Sequence, residues 1–393
     1  MQGSSGHIDQ APFGGHPGYE SREAEGAAGL TVSYDLLLLF PVLFLVGVGV
    51  VMIYSASSAL ALKQYGTDFY FLKKQAIFSL LGIVTLVIFR RFPFRFYRIL
   101  VYPLLGFSLL LLVGVLLPGL GVEAGGARRW LSIAGLQFQP TELARLAMVI
   151  YLAYSLSKKQ ERLKVFSIGI VPHLGMLGVF SLLILRQPDF GSVVILCAVT
   201  WVMLFAGGVR LTHLFLPLVG LVPVAYLFMI SAEYRLDRLL SFLNPWKYQS
   251  DEGYQVIHSL MAFGSGGVFG TGIGKGYQKL FYLPEPHTDF VFSVIGEELG
   301  MIGVLVILVL YGLILWRGIL ISCRVRDPFG KLLALGLTTA LGLQVGVNLS
   351  VALGLLPTKG LTLPFMSYGG TSLLISMASV GILLNIGASR GTQ

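Results

Sequence analysis

The sequence predicts an all-α polytopic membrane protein with about ten transmembrane helices and a large extracytoplasmic loop between helices seven and eight. Three observations carry this. The 393-residue chain is 55% hydrophobic and only 12% charged, about half the roughly 25% of soluble domains. Several uncharged apolar runs reach or approach the ~20 residues that cross a bilayer core. Residues 231–289 are far longer than a connector needs and still rich in aromatic and apolar side chains, so they belong to a functional loop rather than a linker.

The elements follow in order. Residues 1–30 are rich in Gly, Ser and acids without apolar periodicity, and read as a disordered cytoplasmic tail ahead of a membrane domain over 31–393. No cleavable signal peptide is evident, so the first apolar run acts as its own anchor. Candidate spans lie near 34–55, 75–90, 97–117, 140–156, 166–185, 190–207, 211–230, 290–316, 330–355 and 364–388, the second and sixth being short. An even number of spans puts both termini on one side. With that side inside, the inner loops carry dense clusters (Arg90, Arg91, Arg95, Arg98; Lys158, Lys159, Arg162, Lys164; Arg317, Arg324, Arg326, Lys331), and the short outer loops are sparser. That bias sets both termini in the cytoplasm.

The net charge of +9 therefore reads as membrane orientation and not as nucleic-acid binding. Cys197 lies in an apolar run and Cys323 in a basic loop, which is no disulfide framework. In the large loop, short amphipathic helices are expected at the interface, anchored by Trp246, Tyr248 and Tyr254. The glycines from Gly264 to Gly276 permit a close approach of backbone to some other element, and they lack the strand and helix that a phosphate-binding loop needs.

The polar residues that stand out fall on the outer side. Asp289 ends Pro284-Glu285-Pro286-His287-Thr288-Asp289-Phe290, where the loop meets a span. It is either an N-cap for a helix starting at Phe290 or a partly desolvated general base. Glu297 and Glu298 follow two turns into that span, where an acid is costly and marks function or a buried ion pair. Pro140, Glu142 and Arg145 open the fourth span, with the acid and the arginine on one face as a salt bridge. Alternatively, Arg145 joins Arg128 and Arg129 of Gly125-Gly126-Ala127-Arg128-Arg129-Trp130 in holding an anion, a task to which guanidinium suits. Arg186-Gln187-Pro188-Asp189-Phe190-Gly191 is a tight outer turn, and Leu356 to Ser372, with Lys359 and Ser367, is irregular backbone at membrane depth. Such backbone is tolerated only against protein or a water-filled cavity. The six histidines show no zinc spacing.

Taken together, these motifs resemble the SEDS family of cell-wall polymerases, the FtsW, RodA and SpoVE proteins, from about residue 33 to 389. The matching stretches are Gly126–Trp130, Gln139–Glu142, Gln187–Gly191, Asn244–Trp246 with Gly253–Gln255, Leu283–Phe290 with Glu297–Gly300, and Pro364–Gly370. Ile295–Glu298 and Leu356–Thr362 are more similar to the division members than to the rod-shape members; a sporulation member would look much the same. Thr141 and Arg145 stand where Ser and Lys are usual, and Ser250-Asp251-Glu252 replaces a usual Asp-Pro turn.

The resemblance implies a peptidoglycan glycosyltransferase that polymerises lipid II for septal wall synthesis, with Asp289 on the family's essential acid. It makes Arg128, Arg129, Arg145 and Lys359 the expected groups that neutralise pyrophosphate, alone or with a divalent cation (Mg or Mn). Glu142, Asp189, His287, Glu298 and Ser367 fall in matched motifs and are expected around the substrate. The implied partner is a class B penicillin-binding protein, an FtsI-like transpeptidase packed on the eighth and ninth spans, with other divisome proteins. Two competing classes are a lipid II flippase, which needs a polar path to the inner face, and a scaffold, which needs no converging acids and arginines.

Overall fold

The computed structural model describes residues 35–389 except 125–126, 134–135, 231–236, 238–239, 250–252 and 282–285. The predicted tail, Gly125–Gly126, the Ser250–Glu252 turn, and Pro284 and Glu285 lie outside the described residues.

Each stretch expected to span carries a helix. These are α1 (Leu36–Tyr65), α2 (Tyr70–Arg91), α3 (Tyr97–Leu116), α4 (Pro140–Lys158), α5 (Val171–Leu185, after a single turn at Phe166–Gly169), α6 (Phe190–Ala206) and α7 (Leu211–Ile230). The large loop follows with α8 (Tyr254–Gly266) and the one-turn α9 (Gln278–Phe281), then α10 (Val291–Arg324), α11 (Pro328–Ala352) and α12 (Gly370–Ala388). Among the described residues, seven helices are long and apolar enough to cross a membrane. The fourth is more polar, and Phe190–Ala206 and Leu211–Gly220 are shorter apolar helices. Helix α2 begins at Tyr70 and not near 75, because the Lys73-Lys74-Gln75 step that interrupts the apolar run continues the helix.

Most of the surface of α1, α3 and α7 is large and apolar, with Leu36, Ile99, Leu110 and Val219 all more than 65% exposed. Such a surface suits lipid, where every backbone group must be paired inside its own helix. Helix α4 is the opposite: nearly all of its residues are buried, and it packs against α3, α6, α11 and α12 as the axis of the bundle. Helix α12 lies closely along α2. Small residues make that possible, since a β-carbon on Gly381 would sit 2.6 Å from the Leu86 carbonyl oxygen.

One element has no helical counterpart in the sequence reading. Between α3 and α4 lies a three-stranded antiparallel sheet, β1 (Gly121–Ala124), β2 (Ala127–Ile133) and β3 (Leu136–Phe138), in the order 1-2-3. It is tied to α12 by Gln139 N–H donating to Thr371 Oγ1 (3.1 Å).

The connections sort to two ends. At one end, ion pairs and caps close the short basic loops: Arg98 with Asp327 (2.5 Å), Arg317 with Asp35 (2.6 Å), and Asn385 Oδ1 accepting from Phe94 N–H (2.8 Å). At the other end the sheet, the Gln187–Asp189 turn, the loop before α10 and the irregular Leu353–Gly369 segment meet. The candidate site lies at this second end.

Candidate functional site

Four segments separated in sequence converge on Gly360. A β-carbon placed there would lie 3.2 Å from Asp289 Oδ2 and 3.9 Å from Arg129 Nη1, so the carboxylate and the guanidinium flank one glycine. Arg129 is fixed from behind by donating from Nε to the Gln187 carbonyl (3.2 Å) and from Nη2 to the Pro188 carbonyl (2.6 Å). Lys359, next to Gly360, places its Nζ 4.8 Å from the centre of the Phe190 ring. Burial pushes its amine below the ordinary lysine value, and the nearby Asp189 charge opposes the shift. Asp289 and Arg129 are both half-buried.

The carboxylate is placed by backbone. Helix α10 starts at Val291 with Phe290 at the N-cap position, so the capping position falls one residue beyond Asp289. Asn348 of α11 donates from Nδ2 to the Asp289 carbonyl (3.0 Å) and to the Leu361 carbonyl (2.6 Å), joining the two segments that bring the acid and Gly360 together. One turn earlier on the same face, Gln344 donates to the Thr362 carbonyl (3.0 Å) and to Ser372 Oγ (3.2 Å). His287 sits between the Phe71 ring (4.6 Å) and the Tyr368 ring (5.7 Å), and its carbonyl accepts from Tyr368 N–H (2.9 Å).

The other expected residues have different surroundings. Arg128 pairs with Glu123 on the exposed face of the sheet (3.2 Å); neighbours on a strand point to opposite faces, so only Arg129 turns inward. Arg145 is buried against Glu142 and donates to Gln344 Oε1 (2.7 Å). That is the internal salt bridge, and a small pocket lined by Leu341, Ile375 and Ser376 lies beside it. Asp189 caps α6, accepting from Ser192 N–H (3.2 Å) and Ser192 Oγ (2.6 Å). Ser367 closes a turn by accepting from Leu363 N–H (2.8 Å). Glu298 is buried and paired with Lys279 of α9 (2.5 Å), a partner the sequence reading did not single out.

No group of three or more His, Cys, Asp or Glu side chains converges as a metal site among the described residues. The donor set at Gly360 is one carboxylate beside a guanidinium, so a divalent cation there would need substrate phosphate oxygens to complete its shell.

The sequence profile of the FtsW/RodA/SpoVE cell cycle proteins matches residues 36–391. A probable peptidoglycan glycosyltransferase FtsW of Geobacter metallireducens is 46% identical over 90% of this chain and 94% of its own length. The stage V sporulation protein E of Bacillus subtilis is 41% identical over 90% of this chain and 97% of its own. Among solved structures, a chain of a peptidoglycan synthase complex that coordinates polymerization and crosslinking superposes with a TM-score of 0.74 at 33% identity, covering 92% of this chain and 99% of that one. The rod shape determining protein RodA of Thermus thermophilus gives 0.65 at 34% identity, with the same coverage. With nearly the whole described chain matched in sequence and in fold, this multi-pass membrane protein belongs to the FtsW/RodA/SpoVE family of cell cycle proteins.

Proposed function

We propose that the chain is a peptidoglycan glycosyltransferase of the FtsW type, which polymerises lipid II for the septal wall. The observation that carries this reading is the Asp289 carboxylate set beside the Arg129 guanidinium across Gly360. Asp289 takes the proton from the 4-hydroxyl of the acceptor GlcNAc as that oxygen attacks the anomeric carbon of the donor MurNAc. The new glycosidic C–O bond forms as the bond to undecaprenyl pyrophosphate breaks, so an α-linked donor gives a β-linked product.

Pyrophosphate leaves as an anion and needs charge more than a proton, and Arg129 with Lys359 supplies it from fixed positions. A divalent cation bound with the phosphates would add to that neutralisation. Arg128, on the far face of the sheet, takes no part.

The chemistry puts this end of the bundle on the outer side of the cytoplasmic membrane and both termini inside, at the division septum. The partner is a single-pass, FtsI-like transpeptidase of the divisome. Of the two spans expected to carry the partner, α10 is far less buried than α11, which supports a contact centred on its face with Leu305, Val309 and Trp316, all more than 50% exposed.

The test is purified chain with its transpeptidase partner and lipid II, assayed for glycan strands. Asp289→Asn is expected to lose roughly 10²–10⁴-fold in rate, the usual contribution of a general base. Near-normal polymerisation would remove Asp289 from that role, and lipid movement across vesicles without polymer would favour a flippase.

A further inference from the structure

Helix α10 is two helices. Gly300 has φ 64° and ψ −165°, a left-handed conformation that glycine enters without strain, and it separates a half-helix, Val291–Leu299, from the long remainder. The half-helix is about 13 Å long. Asp289 stands just before one end, and Glu297 and Glu298 stand at the other.

The irregular loop segment between α8 and α9 is laid along this break. Thr271 N–H donates to the Glu297 carbonyl (2.9 Å) and Gly272 N–H to the Glu298 carbonyl (3.0 Å). On the far side of Gly300, Met301 N–H donates to the Gly267 carbonyl (2.9 Å) and Ile302 N–H to the Val268 carbonyl (3.2 Å). The segment therefore satisfies backbone groups that the break leaves open. Its glycines are needed for contact: a β-carbon on Gly276 would fall 2.7 Å from Glu297 Oε2.

Both acids are engaged by this segment together with the start of α9, and Glu298 also by α1. Glu297 Oε1 accepts from Tyr277 N–H (2.7 Å) and Gln278 N–H (3.2 Å). Glu298 accepts from Gly274 N–H (3.1 Å) and Ser55 Oγ (2.7 Å), and pairs with Lys279 Nζ (2.5 Å). Lys279 also donates to Ser55 Oγ (2.7 Å). The side chains of Lys279 and Glu298 are 4% and 0% exposed. A buried ion pair is a poor source of net stability, because well-packed apolar residues serve as well. What it supplies here is direction, at a junction of three elements: α1 through Ser55, the loop through Lys279, and the half-helix through Glu298.

We propose that Glu298, Lys279 and Ser55 are positioning residues for the transfer reaction. Their junction sets the half-helix at the angle that brings Asp289 beside Arg129, and opening the ion pair frees the half-helix to pivot at Gly300 and withdraws the carboxylate. The proposal rests on the reading of Asp289 as the base.

The experiment compares Lys279→Met, Glu298→Gln, their double variant and Ser55→Ala, each as full chain with its transpeptidase partner. Thermal stability, kcat and KM for lipid II, and hydrogen exchange over Pro286–Leu299 are measured. Each single variant of the pair strands a buried charge or its partner and lowers Tm. The double variant recovers Tm but not kcat, which stays about 10²-fold down, the cost of a misplacement on the order of 1 Å. KM stays within about twofold, and exchange over Pro286–Leu299 quickens.

Ser55→Ala keeps both charges and loses kcat by about tenfold in the same pattern. A double variant, or a folded Ser55→Ala, with full kcat and unchanged exchange would overturn the proposal. If Asp289→Asn polymerises normally, the base assignment fails on its own. The exchange measurement still decides on the junction, with unchanged protection overturning it.

Discussion

Gly360 shows how tightly single residues bind the site together. Its would-be β-carbon is 3.2 Å from Asp289 Oδ2, closer than ordinary van der Waals contact, so Gly360→Ala pushes the carboxylate aside without touching the helices. The expected outcome is a rate loss of about tenfold with unchanged Tm, read by polymer assay and thermal melt. The two adjacent arginines separate just as sharply. Arg129→Ala is expected to cost about 10²–10³-fold in kcat, as removing one preorganised charge donor does, whereas Arg128→Ala stays near wild type in the same assay. The sequence puts both arginines in one motif and does not separate them, because the strand that turns them to opposite faces has no apolar run to mark it. Lys359 gives a pH handle. Burial holds its amine below the ordinary lysine value against the pull of Asp189. Its charge is therefore present at low pH and disappears as pH rises through that lowered value, earlier than in an exposed lysine. Lys359→Arg stays charged throughout, so the alkaline limb of the kcat profile is expected to move to higher pH; an unmoved limb would show that Lys359 does not supply the charge.

Elements were legible to the extent that their signal was local. Long apolar runs announce helices: α11 lies within three residues of its expected bounds and α10 starts where the sequence puts it, but α10 runs on to Arg324, so Arg317, Cys323 and Arg324, expected in a basic loop, lie within the helix. The glycines of the large loop pointed to a close backbone approach, and the structure identifies the other element as the broken start of α10. Helix α9, and with it Lys279 as the partner of Glu298, was not legible, because the pair is made at a sequence separation of 19 and completed by Ser55 at a separation of 243. The small sheet escaped for the reason that hid the arginine split, its strands being 4, 7 and 3 residues long. Helix α11 is the element on which the site is hung, since Gln344 and Asn348 reach from one of its faces to the segments at 289, 361, 362 and 372. Asn348→Leu leaves two carbonyls without that donor. The expected cost is about 1–3 kcal/mol of stability, seen as a lower Tm, together with a fall in kcat because Asp289 and Gly360 lose their common tether. A loss of stability with kcat per folded molecule intact would limit Asn348 to holding the fold.

At the scale of the whole molecule, the division between a pinned basic end and a converging polar end makes the direction of insertion a functional matter. On the proposed reading, lipid-linked sugars meet Asp289 and Arg129 only if that end faces the compartment where the wall is built. The basic loops argue for the same direction through an unrelated cause, the cost of carrying cations across during insertion. The two ends carry reporters. Cys323 is exposed beside Arg324 at the basic end, and Trp246 is 62% exposed in the loop at the other. A membrane-impermeant thiol reagent added to right-side-out vesicles is expected to spare Cys323 until detergent opens the membrane. In a Cys323→Ser background, Trp246→Cys is expected to react at once, and inverted vesicles exchange the two outcomes. Cys197, half-buried within α6, reacts slowly in either case and serves as the internal standard. Labelling of Cys323 from outside would place the acid and the arginine in the cytoplasm, where no wall is assembled, and the polymerase reading would fall with the orientation.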